Sequence, residues 1–498
     1  METITVNACQ EAVKKQWGGE AIHIMVSGNL KDSPTSDQVT QTFLASRQEA
    51  VEAPVEEAEQ AFAYREIGPP GQVKDRKVVE DLGITQLSFA NGVTVNLKPT
   101  DFEDKTIRLT GVFCARKLAQ PKEKPGIDLL TQYTFDAAGL EKHSADDLQR
   151  LFAGKNVSVS FSIDEGHFEL SGKTTPEDLL DQLQLMCAYL TAPGYREEAE
   201  QRIRKMYPMI AKQITSTPNG VMQAKVDRFV HGGDTRFGMP EIADIEKLTL
   251  ADVKQWIDEP LKNAPLEFSM VGEFEPSEVI PMLQSTFGAL PTRTAATEIA
   301  EADRKVNFPT GESKKLFPYE SKLGKSMVLV YWPTTDRPSD ITKARRLSVV
   351  ANVLADRLRS KIREELGEAY SPGAHNVGSD TFPGYGTLFA MSPGSTEKAQ
   401  LVADRIVELG TALSEKGTDA DEFTRSLKPI LTSLKEQTRN NRYWLSSVLS
   451  QCQKHPERLD WARSMTSDFE SITVDDINAL AKEYLAKGKS TQVLIVTE

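Results

Sequence analysis

One segment occurs three times in this 498-residue chain, and a repeat on that scale restricts the fold to an array of similar units. Its copies run from Glu2-Thr3-Ile4-Thr5-Val6 to residues 22–30, from Glu246-Lys247-Leu248-Thr249-Leu250 to residues 266–274, and from Glu470-Ser471-Ile472-Thr473-Val474 to residues 492–496. Each reads as a short helix followed by a strand. Thr5, Thr249 and Thr473 are placed to cap their helices, and Asp252 and Asp476, three residues on, complete capping boxes in the second and third copies. The apolar runs that follow predict buried strands, with His23 inside the first.

Other landmarks keep nearly the same interval. Thr249 and Thr473 lie 224 positions apart, and Pro208 and Pro429 lie 221 apart, each eight residues beyond a carboxylate, Glu200 or Asp421. A proline inside a helix removes a backbone hydrogen bond and bends it, so one bent helix is expected twice. The first copy is only an end piece, because an equal interval counted back from Thr5 runs off the sequence. Its continuation, residues 37–45, parallels residues 277–289.

These intervals divide the chain. Residues 1–47 are expected to be the remnant of a preceding unit, and residues 48–80, rich in Glu, Ala and Pro, an extended connection. Unit A spans 81–293 and opens with a hairpin signalled by Asn91-Gly92 between alternating apolar runs. A polar connection, 294–313, leads to unit B at 314–498. The fold class is α+β: each unit is a mainly antiparallel sheet with helices packed on one face.

Composition narrows the chemistry. Acidic residues outnumber basic ones, 72 to 59, and the net charge of −13 repels phosphate backbones, which argues against nucleic acid as a partner. No apolar run approaches the ~20 residues of a membrane span, and the first residues lack a signal peptide, so as written the chain is expected in the cytoplasm. A signal carried upstream would instead send it to the periplasm or outside the cell. The four cysteines form no C-x-x-C pair; Cys114 and Cys187 sit in apolar runs and read as core residues.

Six histidines, His23, His143, His167, His231, His375 and His455, are scattered, and neither H-E-x-x-H nor H-x-x-E-H occurs. A catalytic zinc usually takes three protein ligands, and these spacings offer none. Pro383-Gly384-Tyr385-Gly386 lacks the lysine of a phosphate-binding loop and reads as the entry to a strand at 387–391. In unit B, Leu347, Val350, Ala351, Leu354, Leu358 and Ile362 form one buried helical face that Gly367 should terminate. Arg363 then lies in the last turn and Tyr370 just past it. From the residues alone, a cation favoured by the helix dipole and a packed tyrosine ring account for both.

The stretch Arg363-Glu364-Glu365-Leu366-Gly367-Glu368-Ala369-Tyr370-Ser371 resembles the R-x-x-x-G-x-x-Y segment in the C-terminal half of the insulinase/pitrilysin zinc endopeptidases. The likeness of the helix–strand repeats extends over essentially the whole chain. It implies a two-half enzyme of four related domains around a chamber, with H-x-x-E-H zinc ligands in the first domain. It also implies that Arg363 and Tyr370 are catalytic residues, hydrogen-bonding the substrate carbonyl or its developing oxyanion. The zinc helix of the active domain corresponds here to residues 126–133, with Leu129, Gln132 and Tyr133 in the ligand positions.

The chain is accordingly expected to be a non-catalytic C-terminal half or subunit of a zinc metalloendopeptidase, inactive alone. No cofactor is expected on this chain; zinc belongs to an N-terminal half or subunit, which with a peptide substrate is the expected partner. The alternative is an inactive peptide-binding or scaffold subunit of a complex.

Overall fold

The structure is a computed structural model and describes residues 4–18, 22–28, 32–51, 61–113, 118–294, 299–311, 313–366 and 371–498. The chain divides between Gln60 and Ala61 into two bodies. In the first, α1 (Val6–Trp17) is capped by Thr5, whose side chain accepts from the Ala8 amide, and α2 (Ser36–Ser46) carries a full capping box from Thr35 and Gln38. The strand expected after α1 does not form: residues 22–27 have no strand assignment, and His23 is exposed among them. An apolar run specifies a strand only where another strand can pair with it, and among the described residues none does.

In the second body, unit A is built on seven strands: β1 (Val73–Val79), β2 (Ile84–Phe89), β3 (Thr94–Pro99), β4 (Ile107–Phe113), β5 (Ser160–Ile163), β6 (Phe168–Thr174) and β7 (Leu266–Gly272). Their order is β1-β2-β3-β7-β4-β6-β5, antiparallel throughout except for β3 beside β7. Asn91-Gly92 makes the expected turn between β2 and β3, with Gly92 at φ +89°. A Cβ there would lie 2.5 Å from the Arg293 carbonyl oxygen, so the position requires glycine twice over. The helices are α3 (Ile127–Thr134), α4 (Ala145–Leu151), α5 (Leu179–Thr191), α6 (Glu197–Thr215), α7 (Pro218–Val221), α8 (Asp227–Val230), α9 (Ile242–Lys247), α10 (Leu250–Asn263) and α11 (Pro276–Ser285).

Unit B repeats the plan with five strands, β8 (Lys314–Tyr319), β9 (Lys325–Thr334), β10 (Gly373–Gly378), β11 (Gly386–Ser395) and β12 (Thr491–Thr497), in the order β8-β12-β9-β11-β10. The closing strand again lies centrally, between a parallel neighbour, β3 or β8, and an antiparallel one, β4 or β9: Met270 pairs with Leu97 and Leu109, and Leu494 with Leu316 and Val328. The helices are α12 (Ile341–Leu366), α13 (Ala399–Lys416), α14 (Ala420–Gln437), α15 (Glu457–Glu470) and α16 (Val474–Tyr484). Thr249 and Thr473 cap α10 and α16 with complete boxes to Asp252 and Asp476.

Pro208 and Pro429 lie within α6 and α14. Fourteen residues beyond each proline begins a π-helical turn, Met222–Val226 in unit A and Tyr443–Leu449 in unit B. Each turn covers the sheet of the other unit. Val221, Val226 and Val230 pack with Leu329, Tyr331, Val493 and Ile495, while the Leu449 carbonyl accepts from Asn96 Nδ2 and Ser269 Oγ, both at 3.2 Å. Each sheet therefore has its own helices on one face and the neighbouring unit on the other.

Two details depart from the sequence reading. Part of the segment expected as an extended connection, 48–80, is structured: Phe62 is buried in the first core and β1 is an edge strand. Its charged residues, Lys74, Asp75, Arg76 and Lys77, are exposed, and such side chains suit an edge that must not recruit another strand. Where unit B has the 26-residue α12, unit A has two short helices, α3 and α4, of 8 and 7 residues. Gly139, at φ +66° between them, interrupts the helical path.

Candidate functional site

The long helix α12 carries the first predicted site residue. Asp340 starts it by accepting from the Lys343 amide at 2.9 Å. Leu347, Val350, Leu354, Leu358 and Ile362 are all fully buried, so the spacing seen in the sequence is the core face. Two arginines fix the helix from its flanks: Arg345 donates to Asp468 at 3.0 Å and to the Trp461 carbonyl at 2.6 Å, and Arg357 makes a bidentate pair with Glu422, both contacts at 2.7 Å. Burial alone would raise the Glu422 carboxyl, but hydrogen bonds from Arg357 and Thr418 more than offset it and hold it below the usual range. Arg363 is in the final turn, which ends at Leu366; its side chain, Gly367 and Tyr370 lie outside the described residues.

The corresponding place in unit A is α3. Ile127, Leu130, Thr131 and Thr134 are its buried face, so Leu129, Gln132 and Tyr133 share the other, with Gln132 and Tyr133 exposed. That is the geometry a ligand triad at this spacing would need, and the wrong chemistry for one. Leucine offers no donor atom, and a glutamine amide is neither a good zinc ligand nor a base. Among the described residues no cluster of three or more His, Cys, Asp or Glu side chains is suited to a metal ion.

The histidines have structural surroundings. His143 Nε2 accepts the Ala63 amide at 2.9 Å, its ring stacks on Phe62, and burial holds its pKa down. His231 stacks between Phe237 and Tyr385, with Nδ1 2.6 Å from the Asp227 carbonyl. His375 is exposed on β10 with its ring near Phe389. Cys187 and Cys452 are buried, as expected of Cys187 from its apolar run, and Cys9 is exposed.

A cavity of about 560 Å³, announced by no motif in the sequence, lies between units A and B. Its wall includes Glu165, His167, Arg337, Asp380, Lys454 and Arg458. Arg337 Nε donates to Asp380 at 2.6 Å, Ser379 Oγ donates to Glu165 at 2.9 Å, and His167 Nδ1 lies 3.2 Å from the Gln451 amide nitrogen. Gln451, just past the π-helical turn, has φ +61°, an uncommon value for a residue other than glycine. The part of the wall at 377–381 comprises the end of β10 and the residues just after it, β10 being the first strand after the Arg363 to Tyr370 stretch.

Residues 247–429 match the family model described as the Peptidase M16 inactive domain. Over 93% of its length the chain is similar, at 21% identity, to the chloroplastic stromal processing peptidase of Pisum sativum, and over 85%, at 18% identity, to the probable zinc protease PqqL of Escherichia coli (strain K12). It spans 42% and 45% of those two proteins, less than half the length of either. Among solved structures, the periplasmic protease PqqL from Escherichia coli superposes with a TM-score of 0.72 at 16% identity, over 94% of this chain and 51% of that one. A peptidase M16 inactive domain from Pseudomonas fluorescens gives 0.70 at 16% identity, over 84% of this chain and 99% of that one. The repeated processing-peptidase-like architecture and the resemblance to this peptidase family are thus found by sequence and by structure alike. No helix among the described residues is long and apolar enough to cross a membrane.

Proposed function

We propose that this chain, with its match to an M16 peptidase inactive domain, works as the non-catalytic C-terminal half or subunit of a zinc metalloendopeptidase. The supporting observation is a pairing within one chain. Helix α12 carries Arg363 in its last turn, while α3 turns Leu129, Gln132 and Tyr133 outward where ligands and a base would be needed. Arg363 and Tyr370 then donate hydrogen bonds to the carbonyl oxygen of a bound peptide and to the negative charge that develops on it. Donors fixed in advance lower the barrier because they need no reorganisation during the reaction. The long buried face of α12 and the Arg357–Glu422 pair hold the helix from which Arg363 projects in the last turn. The metal and the general base belong to an N-terminal zinc-bearing half or subunit, and the substrate is a peptide.

The test uses the purified chain with and without that zinc-bearing half. Alone, the chain should show no metal-dependent peptide cleavage; cleavage by the isolated chain would refute the reading. In the assembly, Arg363→Ala combined with Tyr370→Phe should lower turnover while leaving the two halves associated. Loss of assembly with unchanged turnover per complex would instead favour a scaffold subunit.

A further inference from the structure

Asp380, in the wall of the cavity between units A and B, is shared by two arginines. Arg337 donates to both of its oxygens, to Oδ1 at 2.6 Å. Arg458 Nη2 lies 3.6 Å from Oδ2, beyond hydrogen-bond reach, and its guanidinium makes no hydrogen bond among the described residues. Two guanidinium charges thus have one carboxylate between them, and the second keeps its donors. The Arg458 side chain is 11% exposed, and burial lowers its pKa from the ordinary arginine value. A desolvated guanidinium with unused donors favours an anion more strongly than one in water does.

The other carboxylates of the wall do not supply that anion. Glu165 accepts from Ser379 Oγ at 2.9 Å, and Asp164 from the Glu165 amide at 2.9 Å. Glu169 lies 3.7 Å from His167 Nε2, and Glu457 lies 3.2 Å from His455 Nδ1. Donors, in contrast, remain: Ser450, 5% exposed, lines the same wall, and its hydroxyl bonds to nothing among the described residues. Arg304, exposed, adds a cation from the connection between the units. The volume of about 560 Å³ lies within the ~300–1,000 Å³ typical of small-molecule sites, whereas one water's share of the liquid is ~30 Å³. The wall also carries Leu118, Val377 and Trp461, apolar surface that a simple inorganic ion leaves unused.

We propose that this cavity binds a small organic anion, with its carboxylate or phosphate on Arg458 and its apolar body against Val377 and Trp461. A carboxylate takes the guanidinium fork through two parallel hydrogen bonds, and a phosphate monoester has a further oxygen for the Ser450 hydroxyl. The bound molecule touches unit A at 164–169 and unit B at 377–381 and 446–461, so it ties the two units together and its occupancy stabilises their packing. Neither Arg363 nor Tyr370 takes part.

The test titrates benzoate and phenyl phosphate into the full chain by isothermal calorimetry. Acetate and inorganic phosphate, which lack the apolar body, and benzyl alcohol, which lacks the charge, serve as controls. One or both aryl anions should bind saturably at one site per chain, and the tighter of the two identifies the head group. Acetate and inorganic phosphate should bind ~10-fold or more weakly, and benzyl alcohol not at all. Hydrogen exchange on the complex should slow amides within 164–169, 377–381 and 446–461. Arg458→Gln should weaken binding ~10–100-fold, and Arg458→Lys, which keeps the charge and loses the fork, should weaken it less. Four results overturn the proposal: no saturable binding of either aryl anion, equal binding of benzyl alcohol, protection confined to other segments, or unchanged affinity in a folded Arg458→Gln chain. If Arg458→Gln does not fold, the exchange map of the wild-type chain decides by the same criterion. No readout involves peptide cleavage, so a failed role for Arg363 or Tyr370 would leave this outcome untouched.

Discussion

Glu267, in the central strand of unit A, accepts the backbone amide of Gln453, from unit B, at 3.0 Å. The same carboxylate takes Asn96 Nδ2 at 2.7 Å and the Lys454 amide at 3.3 Å, so one buried side chain ties the loop after the π-helical turn to the opposite sheet. Replacing it with leucine removes the acceptor that these three donors share. Glu267→Leu should cost roughly 3 kcal/mol in denaturant unfolding at neutral pH.

The same group sets a pH dependence. Burial raises the Glu267 carboxyl above the ordinary glutamate range, so the folded chain binds this proton more tightly than the unfolded chain. Its contribution to stability is largest at low pH and falls as pH rises from the ordinary glutamate value through the raised folded one. Glu267→Gln removes that titration. Unfolding curves collected across this window should show the variant gaining on the wild type as pH increases.

The capping boxes carry the opposite sign. Hydrogen bonds from the Thr473 side chain and amide hold Asp476 below the usual aspartate range. The stabilisation is present above the ordinary aspartate pKa and is lost as pH falls through the lowered folded value. The carboxylate is partly exposed, so Thr473→Ala should cost ~0.5–1 kcal/mol at neutral pH, shrinking at acid pH. Thermal unfolding at two pH values checks it.

Arg236 is buried with Asp234, donating to it at 2.6 Å, to the Leu118 carbonyl at 3.0 Å and to the Asp303 carbonyl at 2.6 Å, with its guanidinium over the Phe382 ring. It thus joins unit A, the connection expected at 294–313 and unit B. Arg236→Met leaves Asp234 with no guanidinium and should cost ~3–5 kcal/mol. A lower denaturation midpoint with an unchanged slope is the expected signature.

Local signals were readable in the sequence where a residue's neighbours in the chain decide its conformation. Thr249 with Asp252, Thr473 with Asp476, Asn91-Gly92 and the apolar face of α12 all behave as read. What depends on distant partners was not readable. Residues 22–26 have the pattern of β7 and form no strand, because a strand exists only with a neighbour to pair with. Glu267 is a carboxylate inside an apolar run, and what makes its burial tolerable, the Gln453 and Lys454 amides of unit B, lies nearly 190 residues away in the sequence. The cavity around His167 and Asp380 is assembled from segments more than 200 residues apart, with no local motif to announce it. Of the candidate site, the position of Arg363 in the last turn of α12 follows from helical periodicity, whereas Leu129, Gln132 and Tyr133 of α3 are singled out by the family resemblance alone.

The central claim is that this chain supplies a carbonyl-binding arginine to chemistry whose metal lies elsewhere. Single-turnover cleavage of a peptide by the assembly of this chain with a zinc-bearing half, comparing wild type with Arg363→Ala, addresses it most directly. Loss of one pre-positioned donor should lower the chemical rate about 10²–10³-fold while the assembly and its zinc content stay unchanged. A variant that assembles normally and cleaves at the wild-type rate would contradict it.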